Sequence, residues 1–285
     1  MPLFFICVPN QMEFRNKQWT FGQQTAIMGI LNVTPDSFSD GGRYDDVEVA
    51  IASAKQMVLD GADIIDVGGE SSRPNAQPVS ADEECRRVIP VVQALSEQTE
   101  TIISVDTCKA EVAMKALQAG AHLVNDITAL YGDPKMVEVV VEANASTILM
   151  HMQGTPDTMQ KSPSYQNVVP EVYDWLKEAV NHAVDKGVRE DLIIVDPGIG
   201  FGKTFDHNLQ LLRNLEVFRQ LKRPLLVGTS RKAFIGQILN LPADQRDGGT
   251  AATVAWSISK GVDIVRVHDV VTVKRVAKVT DTICR

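Results

Sequence analysis

Long apolar runs are missing from this 285-residue chain. None approaches the ~18 residues that a membrane-spanning helix needs. Phe4-Phe5-Ile6-Cys7-Val8 is apolar but short and has no basic flank, so it does not read as a secretory signal. Cysteine is scarce too. Cys7, Cys85, Cys108 and Cys284 show no C-x-x-C spacing, which leaves zinc and dithiol redox motifs unsupported and suits a reducing compartment. A cytoplasmic protein is expected, and the glycosylation-like Asn32-Val33-Thr34 and Asn144-Ala145-Ser146 are then coincidences. Positive charge is in deficit, with a formal net charge of −8. That argues against nucleic acid and anionic membranes as partners, and leaves a small anionic substrate open because such a ligand answers to local charge.

What is abundant is apolar material, 44% of the chain, enough for a large core. The length fits two small domains or one α/β barrel of about 250 residues. The informative pattern is where polar residues fall. Short apolar runs end repeatedly in one polar group: Ala26 to Leu31 in Asn32, Thr101 to Val105 in Asp106, His122 to Val124 in Asn125-Asp126, and Leu192 to Val195 in Asp196. Leu225-Leu226-Val227 leads to Ser230-Arg231-Lys232, and Ile264-Val265 to Arg266-Val267-His268. Such runs read as buried parallel strands.

Strands are expected to begin near Ala26, Ala62, Thr101, Ala121, Ser146, Leu192, Pro224 and Asp263. Helical patterns lie between them. Val47 to Val58 is stopped by Gly61; Ser80-Ala81-Asp82-Glu83 is a capping box; Asp133-Pro134 and Asp206 open helices. Val168 to Lys186, Asp247 to Lys260 and Asp269 to Ile283 complete the series. Eight alternations predict an α/β fold of the (β/α)8 TIM-barrel type over residues 26–285, with an open doubly wound sheet as the alternative. Residues 1–25 form a short N-terminal extension, expected as a β-hairpin or plug from Leu3–Val8 and Trp19–Phe21.

In a parallel barrel the strand ends meet on one face, where chemistry is built. Asp106, Asn125 and Asp196 suit a flat heterocycle rich in N–H donors. Lys232, Arg266, His268 and Arg73 form a cationic set, the first three near the ends of strands seven and eight, where barrels usually hold phosphate. Taken singly, Arg266 would pair with Asp269, and His268 would be a packed core histidine. Two Gly/Pro-rich loops, Asn32–Asp46 and Gly68–Ser80, are long enough to act as substrate loops. Asp196-Pro197-Gly198-Ile199-Gly200-Phe201-Gly202-Lys203-Thr204 ends like a P-loop, but Pro197 stands where its first glycine is required. It reads instead as a strand-to-helix loop whose glycines let the backbone pass close to a ligand.

Met28-Gly29-Ile30-Leu31-Asn32-Val33-Thr34-Pro35-Asp36-Ser37-Phe38-Ser39-Asp40-Gly41-Gly42 resembles the N-terminal signature of the dihydropteroate synthase family. Asp66-Val67-Gly68-Gly69-Glu70-Ser71-Ser72-Arg73-Pro74 is similar to its second signature. Ser104-Val105-Asp106-Thr107, Asn125-Asp126-Ile127, Leu149 to Gly154, Asp196-Pro197-Gly198, Ser230-Arg231-Lys232 and Arg266 to Asp269 follow in the family's order, so the resemblance covers about Ile27 to Val270. It implies a pterin-binding barrel of folate biosynthesis, a transferase joining 6-hydroxymethyl-7,8-dihydropterin diphosphate to p-aminobenzoate to give 7,8-dihydropteroate and diphosphate.

The resemblance also implies roles. Asp106, Asn125, Asp196, Lys232 and Arg266 would hold the pterin. Asn32, Ser72, Arg73, Arg266 and His268 would handle diphosphate, with Asn32 as the protein ligand of a Mg²⁺ cofactor. Phe38, Ser72, Arg73, Pro74, Phe201 and Ser230 would border p-aminobenzoate, whose carboxylate would meet the helix opening near Ser230. Asp106, Arg73, Lys232 and His268 would carry the catalysis. A homodimer is implied, as are sulfonamides acting as p-aminobenzoate mimics. Ser72, Asn75 and Cys108 replace residues common in the family and leave a sulfonamide-insensitive variant open. A pterin-binding methyl-transfer module is the remaining alternative.

Overall fold

The computed structural model describes residues 11–34, 43–71 and 78–285, with only the backbone of 43–46. Two short strands, β1 (Gln11–Phe14) and β2 (Lys17–Thr20), pair antiparallel as a hairpin. Then β3 (Ala26–Asn32), β4 (Ile64–Gly68), β5 (Ile102–Asp106), β6 (Leu123–Asp126), β7 (Ser146–Met150), β8 (Ile193–Asp196), β9 (Leu226–Val227) and β10 (Ile264–Val267) form one parallel sheet. Its order is β8-β7-β6-β5-β4-β3-β10-β9. A bridge between Val195 and Leu225 joins the two edges, with Val195 N–H donating to Pro224 at 3.0 Å, and so closes the barrel.

The helices are α1 (Arg43–Leu59), α2 (Ala81–Gln98), α3 (Ala110–Gln118), α4 (Met136–Glu142), α5 (Val168–Asp185), α6 (Phe205–Arg213), α7 (Ala233–Leu239), α8 (Asp247–Ser259) and α9 (Val270–Cys284). The strands begin within about two residues of the positions expected from the sequence. Three helix starts differ in detail. Ser80 does cap α2 through Glu83 N–H, but the Glu83 carboxylate turns to Arg86 and Arg87 and leaves the box half made. Thr204 rather than Asp206 caps α6, in a box completed by His207. Asp133 opens the turn that runs into α4 at Met136, with Oδ1 accepting from Lys135 N–H at 3.0 Å, while its Oδ2 accepts from Ala110 N–H at 2.9 Å and so also caps the first turn of α3.

Alternation along each strand divides the interior. Ile27, Leu31, Ile65, Val67, Ile103, Val105 and Val265 face outward and are buried under the helices. Ala26, Met28, Ile64, Ile102, Leu123, Ile148, Ile194, Leu226 and Ile264 face inward and fill the lower barrel. The hairpin seals that floor with Met12 and Phe14, both fully buried, and Phe21. It is also tied by hydrogen bonds. Ser146 Oγ donates to Glu13 O at 2.9 Å, and Arg15 Nη1 donates to Leu117 O and Ala121 O at 2.6 and 2.7 Å. The plug therefore comes from Gln11–Thr20, while Leu3–Val8 lies outside the described residues.

Candidate active site

One inward step above the apolar floor the same strands turn polar. β4 presents Asp66, β5 Ser104 and then Asp106, β6 Asn125, β8 Asp196 and β10 Arg266. Arg266 lies between two carboxylates. Its Nε donates to Asp66 Oδ2 and its Nη2 to Asp106 Oδ2, each at 2.6 Å. Asn125 Nδ2 donates to the same Asp66 oxygen at 3.0 Å. Asp66 is fully buried, and its Oδ1 has no hydrogen-bond partner among the described residues. An acceptor left in that condition is costly unless a ligand or water supplies a donor.

Arg266 thus ties the Asp/Asn group together and does not pair with Asp269, whose carboxylate caps α9 through Thr272 N–H at 3.0 Å. Burial alone would pull the Arg266 pKa down; Asp66 and Asp106 outweigh it and hold the guanidinium firmly charged. Burial pushes Asp106 up to about 7, against the pull of Arg266 and with help from Asp66. It pushes Asp196 up to about 6, although Gly198 N–H donates to that carboxylate at 2.7 Å.

The cationic side is built by the loops after β8, β9 and β10. Lys232 Nζ sits 4.1 Å from the centroid of the Phe201 ring, a cation–π contact. Burial and then Arg266 push Lys232 down to about 8. Ser230 Oγ lies 2.8 Å from His268 Nδ1 and accepts from His268 N–H at 3.2 Å. A hydroxyl that donates to Nδ1 leaves the proton of a neutral ring on Nε2; one that accepts from it leaves the proton on Nδ1. Arg231, in the left-handed region at φ 57°, turns away and forms a two-pronged pair with Asp247, both contacts at 2.8 Å. That turn fixes where Lys232 starts α7. Asn32 ends β3 in register with Gly68, at the same rim.

Asn32, Asp106, Asn125, Asp196, Phe201, Ser230, Lys232, Arg266 and His268 are therefore all carried to one end of the barrel. Phe38, Ser72, Arg73, Pro74 and Asn75 lie outside the described residues. The second loop is described at its two ends, where Glu70 accepts from Val79 N–H at 3.0 Å and pairs with Lys109. Sequence reasoning assigned no role to Asp66, although a single carboxylate inside Ile64-Ile65-Asp66-Val67 is itself a signal. It also missed Lys203 and His151, which join the loop after β8 to the end of β7.

A closed parallel barrel with this polar rim defines an enzyme of the pterin-binding class, and residues 28–268 match the family model for pterin binding enzymes. The chain is 47% identical over 275 residues to the dihydropteroate synthase of Clostridium beijerinckii, covering 96% of this chain and all of the relative. The Yersinia pestis dihydropteroate synthase, solved with a sulfonamide drug complex, superposes with a TM-score of 0.90 at 40% identity, covering 96% of this chain and 98% of that one. The Xanthomonas albilineans enzyme, solved with 4-aminobenzoic acid, gives 0.90 at 38% identity with the same coverage. The chain belongs to the pterin-binding enzymes and, among them, to the dihydropteroate synthase family, transferases of folate biosynthesis.

Proposed function

We propose that this chain condenses 6-hydroxymethyl-7,8-dihydropterin diphosphate with p-aminobenzoate, forming 7,8-dihydropteroate and releasing diphosphate. The observation that carries this reading is the split of one barrel mouth. A buried Asp/Asn set clustered on Arg266 lies beside a cationic set in which Lys232 rides on Phe201. Asp106, Asn125 and Asp196, with Asp66 behind them, offer acceptors to the N–H edge of a pterin. The free Asp66 Oδ1 is satisfied when a donor arrives.

The C–O bond between the pterin methylene and the diphosphate breaks, and a C–N bond to the aniline nitrogen forms. Electrons of the broken bond leave with the diphosphate, and the amine loses one proton. Charge growing on the leaving group is met by Lys232, Arg73 and the Nε2–H face of His268. Positive charge developing on the pterin methylene is met by the Asp106 carboxylate. An aniline nitrogen is uncharged near neutrality, so no strong general base is needed. Phe201 and Ser230, together with Phe38, Ser72, Arg73 and Pro74, would border the p-aminobenzoate ring.

A divalent ion fits this rim only as a guest of the substrate. No cluster of three or more His, Cys, Asp or Glu that could hold one occurs among the described residues, and the Asn32 amide oxygen at the end of β3 is the donor type that supplements phosphate oxygens. Mg²⁺ held by Asn32 and the diphosphate would screen charge on the leaving group.

Sulfonamides are proposed as competitors of p-aminobenzoate, by likeness to the Yersinia pestis enzyme. A homodimer is proposed through α8 and α9, which expose Trp256, Val279 and Ile283. No helix among the described residues is long and apolar enough to cross a membrane. The compartment proposed is the cytoplasm, where free thiols such as Cys85 and Cys284 persist. The test of function is diphosphate release measured with and without p-aminobenzoate, alongside chromatographic detection of dihydropteroate. Release that ignores p-aminobenzoate overturns the reading.

A further inference from the structure

Lys203 is only 3% exposed, yet it makes no ion pair among the described residues. Its Nζ lies 2.9 Å from His151 Nδ1 and donates to Phe201 O at 2.9 Å and to His151 O at 3.3 Å. Burial pushes its pKa down to about 7, and its charged form is tolerated there only because its donors are all used. Here three acceptors use them, and two of the three are backbone carbonyls and so fixed in place.

The loop is cut to fit this arrangement. Gly198 has φ 67°, and a Cβ there would lie 1.9 Å from His151 O. Gly202 has φ 60°, and its Cβ would lie 2.4 Å from Gln153 O. The two glycines let the loop lie flat on the chain leaving β7, close enough for Lys203 to bridge them. His151 has no charge to add. Burial and then Lys203 push its pKa down to about 2, so its ring is neutral and Nδ1 accepts the ammonium. The ring is held in turn by Trp175, edge to face at 4.9 Å. Two further bonds pin the loop from outside: Gln160 Nε2 to Gly200 O and Tyr165 OH to Gly202 O, both at 2.8 Å.

We propose that Lys203 is a positioning residue for p-aminobenzoate: by pinning the Phe201 carbonyl to the end of β7, it holds the Phe201 ring beneath Lys232, where the second substrate is to lie. This rests on the reading of Phe201 as a wall of the p-aminobenzoate site. The bond from Gly198 N–H to Asp196 is independent of Lys203, so the pterin side of the loop keeps its own tether. Loss of Lys203 therefore falls on one substrate.

The experiment is steady-state kinetics of wild type, Lys203→Met and Lys203→Arg, with calorimetric affinity for 6-hydroxymethyl-7,8-dihydropterin diphosphate as an independent reading. Losing one charge-assisted contact set raises KM for p-aminobenzoate by about tenfold or more in the Met variant. KM and affinity for the pterin diphosphate stay within about threefold, and Arg restores part of the loss. Equal impairment of both substrates, or an unchanged KM for p-aminobenzoate, overturns the proposal. If the Met variant binds no pterin diphosphate, Lys203→Gln is judged by the same split. A wild type that makes no dihydropteroate defeats the function itself, whereas an active wild type with no split defeats only the role of Lys203.

Discussion

The floor and the rim of this barrel are made by the same strands, one inward position apart, and they answer to different physics. Ile64, Ile102 and Ile264 meet the hairpin's Met12 and Phe14 in a dry layer. The next inward residues on those strands are Asp66, Ser104 and Arg266, two of which form an ion pair. Burial stabilises the first layer and works against the second, because buried charges pay for desolvation and an unpartnered acceptor such as Asp66 Oδ1 gains nothing in return. The difference teaches where stability is stored and where it is given up for binding. Substitutions in the two layers are expected to separate cleanly.

The largest effect expected is at the rim. Asp106→Ala removes the carboxylate proposed to face developing positive charge, and turnover is expected to fall by about 10³-fold or more. Arg266 keeps Asp66 at 2.6 Å, so the barrel is expected to stay folded. Diphosphate release and thermal unfolding measured on one sample decide the matter. A variant with near-normal turnover removes the charge-stabilising role. The converse at the floor is Phe14→Ala. It should cost about 3–5 kcal/mol of stability in urea unfolding, as for other fully buried aromatic side chains. Turnover at low temperature should be unchanged, and a variant that loses activity while keeping its unfolding midpoint contradicts the division.

Much of this contrast was legible in the sequence, because alternation in a buried strand is strict. The polar residues that end apolar runs, Asn32, Asp106, Asn125 and Asp196, all arrive at one rim. Asp66 escaped because it lies inside its strand rather than at the end, so it is a member of the site by inward register and not by position in a loop. The local alternative for Arg266, a pair with Asp269, fails for a related reason. Asp269 is near in sequence, but Asp66 and Asp106 are near across the barrel, and only closure of the sheet brings them within 2.6 Å. Asp133 opens the turn before α4, as its place in the sequence indicates, but its second carboxylate oxygen caps the start of α3, a long-range contact that no local pattern encodes. The role of Lys203 was invisible because its three acceptors belong to a turn of its own loop and to the end of another strand.

A pH series sharpens the rim further. Asp106, held near 7 by burial, and Asp196, near 6, both lie above their ordinary value of 3.8. The folded apo-protein therefore binds more protons than the unfolded chain between about pH 4 and 7, and these two groups make stability fall as pH rises through that window. A pterin whose N–H groups need carboxylates works in the opposite sense. Its affinity is expected to rise with pH over the same window, by up to about tenfold per unit for each carboxyl that must ionise, and to level off above 7. Calorimetry from pH 5.5 to 8 reads this directly, and a flat profile means that neither carboxyl accepts from the ligand as the ionised form.

The smallest effect expected is at Ser230, which connects two strand ends without being charged. Its hydroxyl is 2.8 Å from His268 Nδ1, and the residue is buried. Ser230→Ala removes one neutral hydrogen bond and leaves the His268 main-chain N–H without the acceptor it has at 3.2 Å. A loss of about 0.5–1.5 kcal/mol is expected, roughly 2- to 10-fold in kcat/KM. In the proposed mechanism the lost bond selects the tautomer that presents Nε2–H, so the effect should appear mainly in kcat, where charge on the departing diphosphate matters, and not in pterin affinity. Nitrogen-15 spectra of the imidazole would show the Nε2–H tautomer as the major form in wild type and a mixed population in the variant. A variant with the wild-type tautomer and unchanged kcat would mean that the rim orients His268 by packing alone, which would move that residue toward the behaviour of the floor.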